Sequence, residues 1–189
     1  SITVNTFQTQ SLVLCPTREL ATQVSQELRR LARYLPNVKI TTLCGGIPKI
    51  KQDISLMRPA HIIVGTPGRI LDHLSKNTLR LNYLKTWVLD EADRMLDMGF
   101  SDAMDSIMEF IPAQRQTLLF SATYPDEIAS MSAKVQTNPI HITVDSHQDT
   151  VKISQLFFAV TRTEKFAALQ TILAHYQPES CIIFCNTKR

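Results

Sequence analysis

The sequence predicts an α/β fold built on a parallel sheet with helices on both faces. Short apolar runs alternate with helical patterns from end to end, the rhythm that parallel strands joined by crossover helices produce. Most runs are also cut off by a short polar or glycine-bearing signature, as expected at the rim of an open sheet where ligands sit. At 189 residues the chain fits one full domain, or one domain with a piece of another. Its 44% hydrophobic content suits a protein with a real core.

Strands are expected at residues 12–15, 40–43, 62–65, 87–90, 117–121 and 140–144. Between the first two, Leu20, Val24, Leu28, Leu31 and Leu35 recur at helical spacing. Ile47, Ile50, Ile54 and Met57 repeat that period on the next segment. Ile70, Leu71 and Leu74 mark a short third helix, and Ala103, Ile107 and Ile111 another that Pro112 closes. Residues 145–150 are polar and aperiodic and read as a linker. A strand at 154–160, a helix at 164–175 and a strand at 181–186 then follow. Those last forty-odd residues are too few for a core of their own. They are expected to open a second α/β domain, and the first is expected to lack its opening βα unit.

A net charge of +3 and a pI near 8.7 exclude a bulk polycationic field. Contact with nucleic acid must therefore come from locally placed charge. No apolar run approaches membrane-spanning length. The four cysteines form no Cys-x-x-Cys pair, and three lie in apolar strand-like runs. Buried free thiols in a reducing, cytoplasmic compartment are expected. The histidines are scattered without ligand spacing, and Trp87 at the start of a strand is expected in the core.

The run Trp87-Val88-Leu89 ends in Asp90, Glu91 and Asp93. Carboxylates crowded at a strand's carboxyl end would be relieved by a hard cation such as Mg²⁺ together with a nucleotide phosphate. Asp90 would hold the metal's water shell, and Glu91 would orient or deprotonate an attacking water. A solvated acidic turn is the plain alternative. After residues 12–15, Pro16, Thr17 and Arg18 open a helix whose free N–H groups and guanidinium suit a phosphate. Helix capping with a surface Arg–Glu pair accounts for the same residues. Gly45 and Gly46 permit close approach of a polyanion, or form a tight turn. Thr66, Pro67, Gly68 and Arg69 repeat the first motif, so two such sites would grip successive phosphates of one strand without reading bases. Coincidental helix capping accounts for one such site but is awkward for both. Ser121 and Thr123 can hydrogen-bond Asp93 if their strands are neighbours, or cap the helix that begins near Pro125.

Taken in order, residues 16–21, Gly45-Gly46, 66–69, 90–93, 121–123 and 182–187 resemble the motifs of the DEAD-box family of ATP-dependent RNA helicases, within helicase superfamily 2. The wording at residues 14–21 and 90–100 is similar to that of the bacterial subgroup acting on large-subunit ribosomal RNA in ribosome assembly. The resemblance implies RecA-like domains: residues 1–144 as helicase domain 1 without its phosphate loop, 145–150 as linker, and 151–189 as the beginning of domain 2. It further implies ATP and Mg²⁺ as cofactors, Asp90 holding the metal through water, Glu91 as the base, and Asp93 linked to Ser121 and Thr123 to couple hydrolysis to strand separation. Pro16, Thr17, Arg18, Gly45, Gly46, Thr66, Gly68, Arg69, Asn186 and Thr187 would line the RNA backbone. A monomer that engages no membrane is the implied state.

The sequence departs from that pattern. No Gly-x-x-x-x-Gly-Lys-Thr loop occurs among its five glycines. The adenine-reading glutamine segment and the late arginine motifs are also missing, and an arginine finger is worth about 10³–10⁵ in rate. This chain alone is therefore expected to be inactive. The alternatives are a non-catalytic RNA-binding scaffold that lost its phosphate loop, or a DNA helicase of the same superfamily. Asp90 and Glu91 weigh against the scaffold, which has no physical need of a metal-binding cluster.

Overall fold

Five short runs become a single parallel sheet: β1 (Ser11–Leu14), β2 (Ile40–Leu43), β3 (Ile62–Gly65), β4 (Thr86–Leu89) and β5 (Gln116–Leu119). The computed structural model describes residues 2–144 and 154–185. The strand order is β2-β3-β1-β4-β5. β1 lies at the centre, with Val13 opposite Val64 on one side and Val88 on the other. Each strand falls within two residues of its expected bounds; the runs of β1 and β3 in particular are apolar and buried between neighbours on both edges.

Alternation along the strands feeds two layers. Val13, Cys15, Ile62 and Val64 face α1 (Arg18–Leu31), which sends Leu20, Val24 and Leu28 against them. Thr17 caps that helix, its Oγ1 accepting from the Leu20 N–H at 3.2 Å. Leu12, Leu14, Ile63, Trp87 and Leu89 face the opposite way into the larger core. That core is roofed by α3 (Pro67–Ser75), α4 (Ala92–Asp97), α5 (Ser101–Met108) and α6 (Asp126–Val135). Trp87 is fully buried, with the Arg115 guanidinium 5.2 Å above its ring.

Several expectations need correction. α2 (Lys49–Leu56) forms, but Ile50, Ile54 and Met57, with Ile47 just before it, face solvent; Gln52 and Leu56 turn inward instead. The helix flanks β2, an edge strand, so the sheet offers it too little surface to cover a full apolar stripe. Leu31 and Leu35 are exposed for a similar reason, since α1 gives way to a single 3-10 turn at Ala32–Tyr34. Residues 140–144 are exposed and form no strand, with no ladder partner among the described residues.

The chain divides into two compact units, Ser1–His141 and Ile142–Arg189. In the second, α7 (Lys165–Tyr176) matches the expected helix. The runs expected as strands on either side of it are not strands: 154–160 and 181–185 share no backbone hydrogen bonds. Without a neighbour to exchange N–H and C=O bonds, an apolar run has no ladder to join. Cys181 and Cys185 are exposed there, contrary to expectation, whereas Cys15 and Cys44 are buried free thiols as expected. The linker at 145–150, and Asn186 and Thr187, lie outside the described residues. Among the described residues no helix is long and apolar enough to cross a membrane.

Candidate functional site

In the first unit every motif residue lies just beyond the carboxyl end of a strand, so the five-stranded sheet gathers them along one rim. The described part of the last motif, 182–185, lies in the second unit and follows no strand. The strand order splits the rim by charge. Pro16, Thr17 and Arg18 follow β1, Gly45 and Gly46 follow β2, and Thr66, Gly68 and Arg69 follow β3. On the other side Asp90, Glu91 and Asp93 follow β4, and Ser121 and Thr123 follow β5. Cys15 stands between the halves, its thiol pushed up to about 12 by burial and then by the Asp90 charge.

The acidic half is tied together by hydrogen bonds across neighbouring strands. Asp90 leaves β4 with its N–H on the Leu14 carbonyl, and Ala92 N–H donates to the Phe120 carbonyl at 2.9 Å. Glu91, between them, adopts the left-handed conformation at φ 51°, a placement that costs a non-glycine residue about 1–3 kcal/mol and marks functional turns. Its N–H donates to Asp90 Oδ1 at 3.1 Å, and its Oε2 accepts from Arg94 Nη1 at 3.1 Å. Burial raises the Asp90 carboxyl above its ordinary value, and the Glu91 charge adds to that.

Asp93 starts α4 facing β5. Its Oδ2 accepts from both Thr123 N–H (3.0 Å) and Thr123 Oγ1 (2.9 Å), while its own N–H donates to Ser121 Oγ at 3.3 Å. Burial pushes its carboxyl up, but bonds from Thr123, Arg94 and Ser121 outweigh that and hold it below the ordinary range. Ser121 and Thr123 are therefore latched to α4. They do not cap α6, whose N-terminus makes no side-chain cap bond.

The basic half converges on the glycine pair. Gly46 has φ +74°, and a Cβ there would lie 2.0 Å from Arg18 Nη1, so only glycine lets that guanidinium lie across the loop. Arg69 reaches the same loop from α3, its Nη1 donating to the Ile47 carbonyl at 3.1 Å. Burial raises the Cys44 thiol, a bond from the Thr66 backbone lowers it, and the Arg18 and Arg69 charges both pull it down. The two guanidiniums thus bear on one spot. Thr17 is occupied as a helix cap, whereas Thr66 makes no side-chain cap bond. Backbone N–H groups at two helix starts, two guanidiniums and an open glycine loop suit an extended phosphate chain.

Among the described residues no three His, Cys, Asp or Glu side chains converge as a metal cage. Asp90, half-buried with its proton held more tightly than usual, offers a single carboxylate. That donor set fits Mg²⁺, which keeps several waters and takes its remaining ligands from phosphate. Three further residues bear on these halves and escape motif reading: Arg94, Gln52 and His73. The only sequence signal for the last two is a polar residue at a core position, four before Leu56 and three after Ile70.

Residues 2–131 match the DEAD/DEAH box helicase family. The chain is 58% identical over 188 residues to the ATP-dependent RNA helicase DbpA of Escherichia coli, covering 100% of this chain and 41% of that relative. Its fold is similar to that of a DEAD box protein from the hyperthermophile Methanococcus jannaschii, with a TM-score of 0.71 and 37% identity over 91% of this chain and 46% of the other. An S. cerevisiae Dbp5 variant bound to RNA and ADP BeF3 is similar at TM-score 0.64 and 32% identity, covering 72% of this chain and 34% of that one. The parallel sheet is the RecA-like architecture expected from the sequence. The chain spans about two fifths of the length of the E. coli relative.

Proposed function

Because the chain belongs to the DEAD/DEAH box helicase family, we propose that the whole protein is an ATP-dependent RNA helicase that couples nucleotide hydrolysis to duplex unwinding or ribonucleoprotein remodelling. The observation that carries this reading is the latch of Asp93 to Ser121 and Thr123. It joins the end of β4, where the acidic pair sits, to the end of β5, so a movement at one is felt at the other.

Within this scheme Asp90 would hold Mg²⁺ through water, and Mg²⁺-ATP would supply the phosphoryl group and its charge neutralisation. Glu91, held in its turn by Arg94, orients the attacking water and takes its proton. Arg18, Arg69, Thr66, Gly68 and the Gly45-Gly46 loop grip the RNA backbone, with Pro16 and Thr17 shaping the start of α1 and Asn186 and Thr187 adding contacts from the second unit. This sequence has no phosphate loop of its own, so hydrolysis is assigned to the whole protein and RNA contact to this rim. Ribosomal RNA is the proposed substrate, supported by the wording at residues 14–21 and 90–100, which resembles that of the bacterial subgroup acting on it. The cytoplasm is the proposed compartment, supported by the free thiols, and a monomer the proposed state.

The latch is tested by Ser121→Ala combined with Thr123→Ala in the full-length protein. RNA-stimulated ATPase is expected to stay within about threefold of wild type while unwinding falls by about tenfold or more. Equal loss of both activities would return the two hydroxyls to a purely structural part.

A further inference from the structure

A pair of glycines cannot hold its own shape, so the loop at Gly45-Gly46 must be set by what surrounds it. The carbonyls on either side of the pair are held from below by a single side chain. Gln52, 4% exposed on α2, donates from Nε2 to the Cys44 carbonyl at 2.8 Å and lies 3.5 Å from the Ile47 carbonyl. That second carbonyl also accepts from Arg69 at 3.1 Å. Gln52 is in turn held by His73, which is fully buried on α3 with Nε2 3.2 Å from Gln52 Oε1. Since the Gln52 amide nitrogen is spent on Cys44, its oxygen must accept, and His73 Nε2 therefore carries the hydrogen. His73 Nδ1 faces Thr78 Oγ1 at 2.8 Å and Asp53 Oδ1 at 3.5 Å.

A buried glutamine and a buried histidine are unusual occupants of a core, and apolar residues would fill the same space without polar desolvation. Packing alone does not call for them, whereas a carbonyl that must be fixed does. We infer that Gln52, oriented by His73, is a positioning residue that clamps the Gly45-Gly46 loop in the form that receives the RNA backbone beside Arg18 and Arg69. The inference rests on the RNA reading of this rim for its function, but the clamp itself has a readout that needs no RNA.

That readout is ¹⁵N relaxation at Gly45, Gly46 and Ile47 in the full chain, paired with anisotropy of a fluorescein-labelled single-stranded oligouridylate. Gln52→Leu, and Gln52→Glu with its donor removed, are expected to loosen the loop and weaken RNA about five- to tenfold. The salt dependence should be unchanged, because no phosphate contact is lost. His73→Leu should do the same, and His73→Gln, which restores an amide donor toward Gln52, should recover most of the affinity. A loop equally ordered in Gln52→Leu would overturn the clamp, as would His73→Gln binding no better than His73→Leu. Wild-type protein that ignored the oligonucleotide would overturn the RNA reading, and relaxation alone would still decide for or against the clamp.

Discussion

Asp93 shows how one side chain can be read in two ways from sequence and in one way from structure. As a member of an acidic cluster it looks like a charge awaiting a cation. In the fold its carboxylate accepts from Thr123 and the Arg94 N–H while its own N–H donates to Ser121, whereas burial leaves the Asp90 carboxyl raised. The two neighbours therefore respond to acid in opposite senses. For Asp93 the folded value lies below the ordinary 3.8, so its stabilisation is complete above that value and is lost as pH falls through the folded one. Asp93→Asn should thus lower the melting temperature at pH 7, and the difference from wild type should shrink in scans below about pH 4. A gap that persisted at low pH would mean the bond is not charge-assisted. The acidic run and its hydroxyl partners were legible in the sequence, because the strand ending and the Ser-x-Thr spacing are both local. Arg94 as the partner of Glu91 was not, since a surface arginine three residues on is common on any helix.

At the scale of elements, the strands of the first unit and the facing of α1, α3 and α5 were legible, and the facing of α2 was not. The runs of β1 and β3 found their strands because burial on both faces leaves no choice of side. The periodicity of Ile50, Ile54 and Met57 was read correctly as helical, yet the helix presents them to solvent and turns Gln52 inward. Local period fixes an element's type, while its facing depends on where in the sheet it lands, here beside an edge strand. The second unit makes the same point for strands, because 154–160 and 181–185 have the composition but no ladder. Two glycines carry the element-scale prediction. In Gly65→Ala the new Cβ would meet the Leu43 backbone carbonyl at 2.3 Å, so β2 must shift from β3. Unfolding should show a loss of about 2–4 kcal/mol. Gly46→Ala meets a side-chain tip instead. It should cost about 1 kcal/mol in stability while displacing Arg18 and weakening RNA. If both variants cost the same stability and neither affected RNA, the contrast between backbone and side-chain contacts would be wrong.

Across the whole molecule, charge is divided and not accumulated. A net charge of +3 on 189 residues gives little long-range pull on a polyanion. The sheet order supplies local pull, placing Arg18 and Arg69 on one half of the rim and the carboxylates on the other. RNA affinity should therefore fall with salt as for a few phosphates only. Arg69→Ala should reduce the slope of log affinity against log salt by about 0.7, one phosphate on a single strand. An unchanged slope would leave Arg69 as a support for the Ile47 carbonyl and nothing more. In the proposed mechanism the acidic half does the chemistry, and RNA bound to the basic half governs it. The most direct test is phosphate release from ATP by the full-length protein, with and without RNA, in wild type and Glu91→Gln. Release should be stimulated by RNA in wild type and should fall by about 10²-fold or more in Glu91→Gln while RNA affinity is kept. RNA-stimulated release surviving in Glu91→Gln would contradict that mechanism.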